Sequence, residues 1–287
     1  MNFNAPLLAL LLALPAAAGA ETAAVLTSGG GAYLEAFSAF QAAYGAQVAN
    51  YDLSRGRPDL QAPVRTIAAF GGKAAAYGYP PGTRLVYCMS PGIFIKPGNL
   101  AAAVKISLIP GFDSILSKLK AIQPGLKNLK IFWMAPDFGR FAEPVKKAGA
   151  ELGMQISSVR VEKAGDLPAL LRREMPGMDA FWLPPDPLLI TPETLLILRE
   201  FSWSNGIPFY GSTKGMTREG AAASVGLSFR AMGEAAGAAA LKLEAGEKLP
   251  DIIFPDKQEL TLNATAAKRC RLEFPRDLIE EAAYLFP

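Results

Sequence analysis

The chain has 287 residues, 51% of them apolar, which is ample for a packed core and excludes an intrinsically disordered chain. Its formal charge of +3 is spread without a lysine- or arginine-rich block, which argues against a nucleic-acid partner. There is no histidine, so Ser-His-Asp and Cys-His catalysis and histidine-based zinc sites are excluded.

Residues 1–20 stand apart. An apolar stretch over 6–15 is followed by Ala18-Gly19-Ala20, a small-x-small pattern that predicts an export signal cleaved after Ala20. The ten or so core residues are too few to span a bilayer, and no later segment is long and charge-free enough to do so. The expected destination is the periplasm, with a chain that is not membrane-embedded. Cys88 and Cys270 read as two buried free thiols, although an oxidising compartment permits a bridge.

The elements then alternate. A first strand over 23–27 ends in Ser28-Gly29-Gly30-Gly31, and a helix follows with Tyr33, Phe37, Phe40 and Tyr44 at helical spacing. Glycines between strand and helix let a carboxylate or phosphate approach backbone N–H groups, but the spacing matches neither a phosphate loop nor a dinucleotide fingerprint. An ordinary βα turn is the equal alternative. Strands over 47–51, 64–70 and 84–89 come next. The second of these ends in Gly71-Gly72-Lys73 at a helix start, and the third in Met89-Ser90-Pro91-Gly92. Parallel strands gather such ends on one edge, where they form a cleft wall. Lys73 there either meets a ligand carboxylate or is simply solvated.

A strand over 104–109 broken by Pro110-Gly111, and a helix over 115–122, mark the first crossing between two lobes. The second lobe opens with a buried strand over 129–134. Its end loop is Ala135-Pro136-Asp137-Phe138-Gly139, and a helix (141–152), a strand (156–161) and a helix (167–173) follow. The run 179–183 stops at Pro184-Pro185-Asp186-Pro187. A capped helix starts at Thr191-Pro192 and ends at Asn205-Gly206, and a strand runs over 207–212. Asp137 and Asp186 each lie just past a strand, where two acids either hold an ammonium, act as an acid/base pair, or cap the next helix. A polar loop at 213–215, a small-residue strand (220–227), an alanine- and glycine-rich helix (229–245), a strand (260–263) and two short helices close the chain.

From Val25 to the C-terminus this order resembles the substrate-binding proteins of ABC importers, a branch of the type I periplasmic binding proteins. The resemblance is carried by Gly71-Gly72-Lys73-Ala74-Ala75, Met89-Ser90-Pro91, Ser107-Leu108-Ile109-Pro110, the run from Asp179 to Asp186, Ile207-Pro208 and Leu262-Asn263. It implies an α/β fold of two Rossmann-like three-layer lobes with parallel sheets joined by hinge strands. The expected division puts residues 21–107 and 228–250 in lobe 1, and 108–227 and 251–287 in lobe 2.

The same resemblance implies a small-molecule ligand between the lobes, lined by Ser28, Gly29, Gly30, Tyr33, Gly71, Gly72, Lys73, Met89, Ser90 and Pro91. From lobe 2 it implies Pro136, Asp137, Phe138, Asp186, Ser212 and Lys214. Some relatives bind aromatic amino acids, which suggests Tyr33 and Phe138 on a ring, Asp186 on an amine and the Gly29-Gly30 backbone on a carboxylate. The chain departs from the family in its richer glycine loop and in Thr213-Lys214, which stands where relatives often carry an acid. No cofactor or metal is implied. The partner is the membrane permease of an ABC importer; the alternatives are an exported ligand sensor on the same fold and an Asp137/Asp186-dependent hydrolase.

Overall fold

The computed structural model describes residues 21–60 and 64–287, so the expected export signal lies outside the described residues. In chain order the first elements are β1 (Thr22–Leu26), α1 (Gly31–Tyr44), β2 (Ala49–Asp52), β3 (Thr66–Phe70), α2 (Gly72–Ala75), β4 (Arg84–Cys88) and β5 (Ala102–Ile106). There follow α3 (Phe112–Ile122), β6 (Asn128–Trp133), a 3-10 turn (Pro136–Phe141), α4 (Ala142–Glu151), β7 (Gln155–Arg160), α5 (Leu167–Glu174) and β8 (Ala180–Trp182). Next come α6 (Pro192–Asn205), β9 (Phe209–Gly211), α7 (Lys214–Arg218), β10 (Ala223–Gly226), α8 (Phe229–Glu244) and β11 (Ile252–Ile253). The chain closes with β12 (Glu259–Asn263), α9 (Ala264–Arg269), α10 (Arg276–Glu281) and β13 (Tyr284–Phe286).

These strands form two sheets, the first in the order β11-β5-β4-β3-β1-β2 and the second in the order β13-β12-β10-β9-β8-β6-β7. Every pairing in the first is parallel; in the second only β10 against β12 is antiparallel. Central strands such as β1, β3 and β8 are buried along their whole length, as parallel strands covered on both faces must be. The fold is thus the expected pair of α/β lobes.

The chain passes between the sheets at 107–111, 227–228 and 254–258. β11 pairs with β5 in the first sheet, so the third crossing follows it. Lys105 N donates to Asp251 O at 2.9 Å and Ser107 N to Ile253 O at 2.8 Å.

Local sequence explains the main elements. Thr191 caps α6 with a reciprocal bond to Thr194, Pro192 sits in its first turn, and Gly206 ends it in the left-handed region at φ 65°. The small residues of α8 seat it on α1: a Cβ at Gly233 would stand 2.0 Å from Ala36 O, and one at Gly237 2.7 Å from Phe40 O. Cys88, in the first lobe, and Cys270, in the second, are both buried and unbridged. Burial pushes the Cys88 thiol well above its ordinary range and raises that of Cys270.

Candidate ligand site

In open parallel sheets the ligand crevice lies past the strand C-termini, where neighbouring connections diverge. Here those points are between β1 and β3 in the first lobe and between β6 and β8 in the second. Both are closed from within. In the first, Thr27 Oγ1 accepts from Ala74 N at 3.2 Å. Gly71, at φ 98°, is so tightly enclosed that a Cβ would stand 2.5 Å from Thr27 Oγ1 and 2.6 Å from Tyr33 Cε1. Only glycine fits. Tyr33 therefore packs on Gly71.

In the second lobe the closure is a carboxylate. Asp186 is 3% exposed. Its Oδ2 accepts from Met134 N at 2.6 Å and Ala135 N at 2.7 Å, and its Oδ1 from Leu188 N at 2.9 Å and Leu189 N at 3.3 Å. Four donors fill the acceptor sites of one carboxylate. Asp186 staples the loop after β8 to the loop after β6. This departs from the expectation that it grips a ligand amine, and it leaves the proposed acid/base pair without a free second carboxylate. Nor does it cap the next helix, the other alternative read from sequence: Thr191 caps α6, and Asp186 holds the turn at Leu188 and Leu189 instead.

Space between the lobes lies instead beside the hinge, in two compartments that share Leu108 and Pro185. The smaller, about 60 Å³, is walled by Phe94, Ile109, Phe138, Phe141 and Pro184, and Lys105 and Asp186 reach its lining. The larger, about 400 Å³, sets charged and hydroxyl side chains beside Leu227, Phe229, Met232 and Tyr284. Glu35 borders it from α1, Ser212, Thr213, Lys214 and Arg218 from the β9–α7 segment, and Glu259 from β12. An apolar chamber joined to a charged one suits a molecule with a ring or hydrocarbon part and a polar end.

The sequence-derived residues divide accordingly. Pro91, Phe138 and Asp186 line the smaller compartment, and Ser212 and Lys214 the larger one. Phe138 is buried against Trp133, Phe141 and Trp182. Ser212 is buried, its Oγ donating to Leu183 O at 2.7 Å, whereas Lys214 is exposed with Nζ over the Tyr284 ring. Pro136 is exposed at the start of the 3-10 turn that also contains Asp137, whose side chain lies outside the described part.

Ser28, Gly29, Gly30, Tyr33, Gly71, Gly72, Lys73, Met89 and Ser90 border neither compartment. Gly29 N–H is already bonded to Asp52, not held out for a ligand carboxylate. The Ser54 hydroxyl, at 2.6 Å, is the leading cause that holds the Asp52 carboxyl below its ordinary range, helped by the Ser54 and Gly29 amides and Arg55. Lys73 is exposed on a one-turn helix. Met89 adopts φ 54°, rare for a non-glycine residue, and the next residue, Ser90, presents its carbonyl to Lys105.

Sequence reasoning missed Phe94, Lys105 and Arg140. Lys105 is 4% exposed, and its Nζ donates to Ser90 O at 2.9 Å and Ile93 O at 2.5 Å. A signal was present: one lysine inside the apolar run Ala102-Ala103-Val104-Lys105-Ile106, in a class of residue rarely buried unless paired. Phe94 carried no such signal, because its loop lacks periodicity.

Comparison with known proteins agrees with this fold. No curated protein is significantly similar in sequence. A ligand-free, open substrate binding protein with adhesive properties from Clostridium difficile superimposes with a TM-score of 0.68 at 16% identity, over 92% of this chain and 98% of that one. An ABC domain in complex with L-Trp from Streptococcus pneumonia gives 0.61 at 14% identity, over 92% and 99%. A conserved domain protein from Vibrio cholerae gives 0.61 at 13%, over 92% and 98%. At these identities the likeness is one of fold. The sequence model described as ABC transporter substrate binding protein matches residues 103–285, which span most of β5, the second lobe up to its last strand and the return through α8, and the chain belongs to that family.

Proposed function

We propose that this protein is an exported solute receptor that captures a small organic molecule between its lobes and delivers it to the permease of an ABC importer. The observation that carries the reading is the pair of joined compartments at the hinge, one apolar and one charged, to which both lobes contribute. Such a receptor needs differential affinity between open and closed forms and no bond-making chemistry. An amphiphilic solute such as an aromatic amino acid matches the two compartments, and a protein of the same fold is known in complex with L-Trp. Export rests on residues 1–20; the purified periplasmic protein is expected to begin at Glu21.

A thermal-shift screen over amino acids, nucleosides, sugars and organic acids tests the reading, since a ligand at 100 times its Kd stabilises by about 2.7 kcal/mol. The expected result is a shift with one class, accompanied by a smaller radius of gyration in solution scattering. An unchanged scattering profile at saturating ligand would remove the closing motion.

A further inference from the structure

Where β1 begins, away from the cleft, the first lobe gathers negative charge. The Glu244 carboxylate, half-buried in the last turn of α8, accepts from Tyr44 Oη at 3.0 and 2.9 Å and from Thr22 Oγ1. Tyr44 is the last residue of α1, so two helices end here, and a helix C-terminus carries partial negative charge. A carboxylate is unfavourable at such a point and a cation is favoured. Burial first, then the carboxylates of Glu244 and Glu21, push the Tyr44 hydroxyl above its ordinary range. Among the described residues neither Glu21 nor Glu244 makes an ion pair.

A second observation is independent of these charges. Thr66 is wholly buried, and its Oγ1 has no hydrogen-bond partner. Thr66 pairs in register with Thr22, so the two hydroxyls lie on one face of the sheet, the face that α1 and α8 cover. A buried acceptor beside a carboxylate requires a donor, and an ammonium suits both. The chain has such a group of its own. Glu21 O accepts from Arg65 N at 2.7 Å and from Thr66 N at 2.9 Å, which fixes residue 21 against β3, next to Thr22. Consecutive Cα atoms are about 3.8 Å apart, a spacing that keeps the Glu21 nitrogen in this corner. In the unprocessed chain that nitrogen is a neutral amide with a single N–H. Hydrolysis of the Ala20–Glu21 bond by an export peptidase adds water across it: Ala20 departs as a carboxylate, and the Glu21 nitrogen becomes an ammonium with three N–H donors.

Resting on the export part of the receptor reading, we propose that the ammonium freed at Glu21 is the counterion of this corner: it pairs with Glu244 and donates to Thr66 Oγ1, so that removal of the export signal completes the first lobe. The mature fold is thereby more stable than the unprocessed one, and the gain arises where β1 starts.

The test begins with mass spectrometry of the protein recovered from the periplasm, which should start at Glu21. Melting temperatures are then compared, below the ordinary α-amino range so that the amine is charged, for a form starting at Glu21 and one extended by Ala18-Gly19-Ala20. Each is made with its native residues, with Glu244→Gln and with Thr66→Val. The Glu21 form should melt about 2–4 °C above the extended one, the effect of one partly buried charge at a helix end in a chain of this size. Glu244→Gln should abolish the difference. Thr66→Val should lower the melting temperature of the Glu21 form and leave that of the extended form equal or higher, since there it removes only an unbonded hydroxyl. Should Glu244→Gln fail to fold, the opposite responses to Thr66→Val decide alone. Equal or higher melting of the extended form, a difference that Glu244→Gln leaves intact, Thr66→Val acting alike on both forms, or a periplasmic protein that starts at another residue overturns the proposal. None of these measurements involves a solute, so the thermal-shift screen decides the receptor reading separately; a chain recovered only unprocessed in the cytoplasm removes both the proposal and the export on which it rests.

Discussion

Asp52 in the first lobe and Asp186 in the second both direct carboxylate oxygens at backbone N–H groups of strand-end loops, one partly exposed and one almost wholly enclosed. Asp52 ties Gly29, in the loop after β1, to the loop after β2. Asp186 ties the loop after β6 to the loop after β8. The bonds are of one kind, but the surroundings differ. When a partly exposed acceptor is lost, water can reach its donors; when a buried one is lost, its donors stay unsatisfied in a medium that cannot solvate them. Asp52 ends β2, on the side of β1 away from β3, and Asp186 lies past β8, beside β6, so one kind of bond is made at non-equivalent strands, and its loss should cost less in the first lobe than in the second.

The sharpest way to break the comparison is Asp186→Ala, which strands four amide donors. We expect a loss of about 3–5 kcal/mol in chemical denaturation, because each orphaned buried group costs about 1–3 kcal/mol and part of the gap relaxes. A melting temperature equal to wild type would show that water reaches these amides. Next comes Gly71→Ala, in the closure of the first lobe, which must move Thr27 or Tyr33 and hold a side chain at φ 98°. Strain and overpacking together predict a loss of about 2–4 kcal/mol. Smallest is Asp52→Asn, which should leave the melting temperature within about 2 °C of wild type while hydrogen exchange at the Gly29 amide speeds up.

The same loop should loosen in acid. The Asp52 carboxyl is depressed in the folded protein, so its contribution is present above the ordinary value of 3.8 and lost as pH falls through the lower folded value. Exchange at Gly29 that stays slow below that range would contradict the assignment.

Sequence made the frame legible and the site only in part. Strand ends were readable because apolar runs stop at Gly, Pro or Ser, and the βαβ unit around α6 was readable from its cap and its glycine. The reading placed Asp186 correctly past β8 but could not assign its partners, since the direction of the Met134 and Ala135 amides is a tertiary fact. The strand expected over 104–109 occupies Ala102–Ile106. Alanines with weak strand propensity are recruited there by pairing to β4, and the chain leaves the sheet where the crossing begins. The two- and three-residue strands β11 and β13 exist only through their neighbours, and α7, expected as a polar loop, forms because Thr213 caps it. Glycine-rich loops misled for a physical reason: a glycine permits close approach without saying of what, and at Gly71 it admits a tyrosine of the same lobe.

The two cysteines turn this lobe-by-lobe contrast into something observable. Cys88 belongs to the first sheet and Cys270 follows α9 beside the second, and burial keeps both sulfurs protonated and shielded. Each will react with an alkylating reagent only when its own half of the molecule opens. The protein thus carries one native chemical clock per lobe, and mass spectrometry of the labelled peptides reads the two opening rates separately, without a mutation or an attached dye.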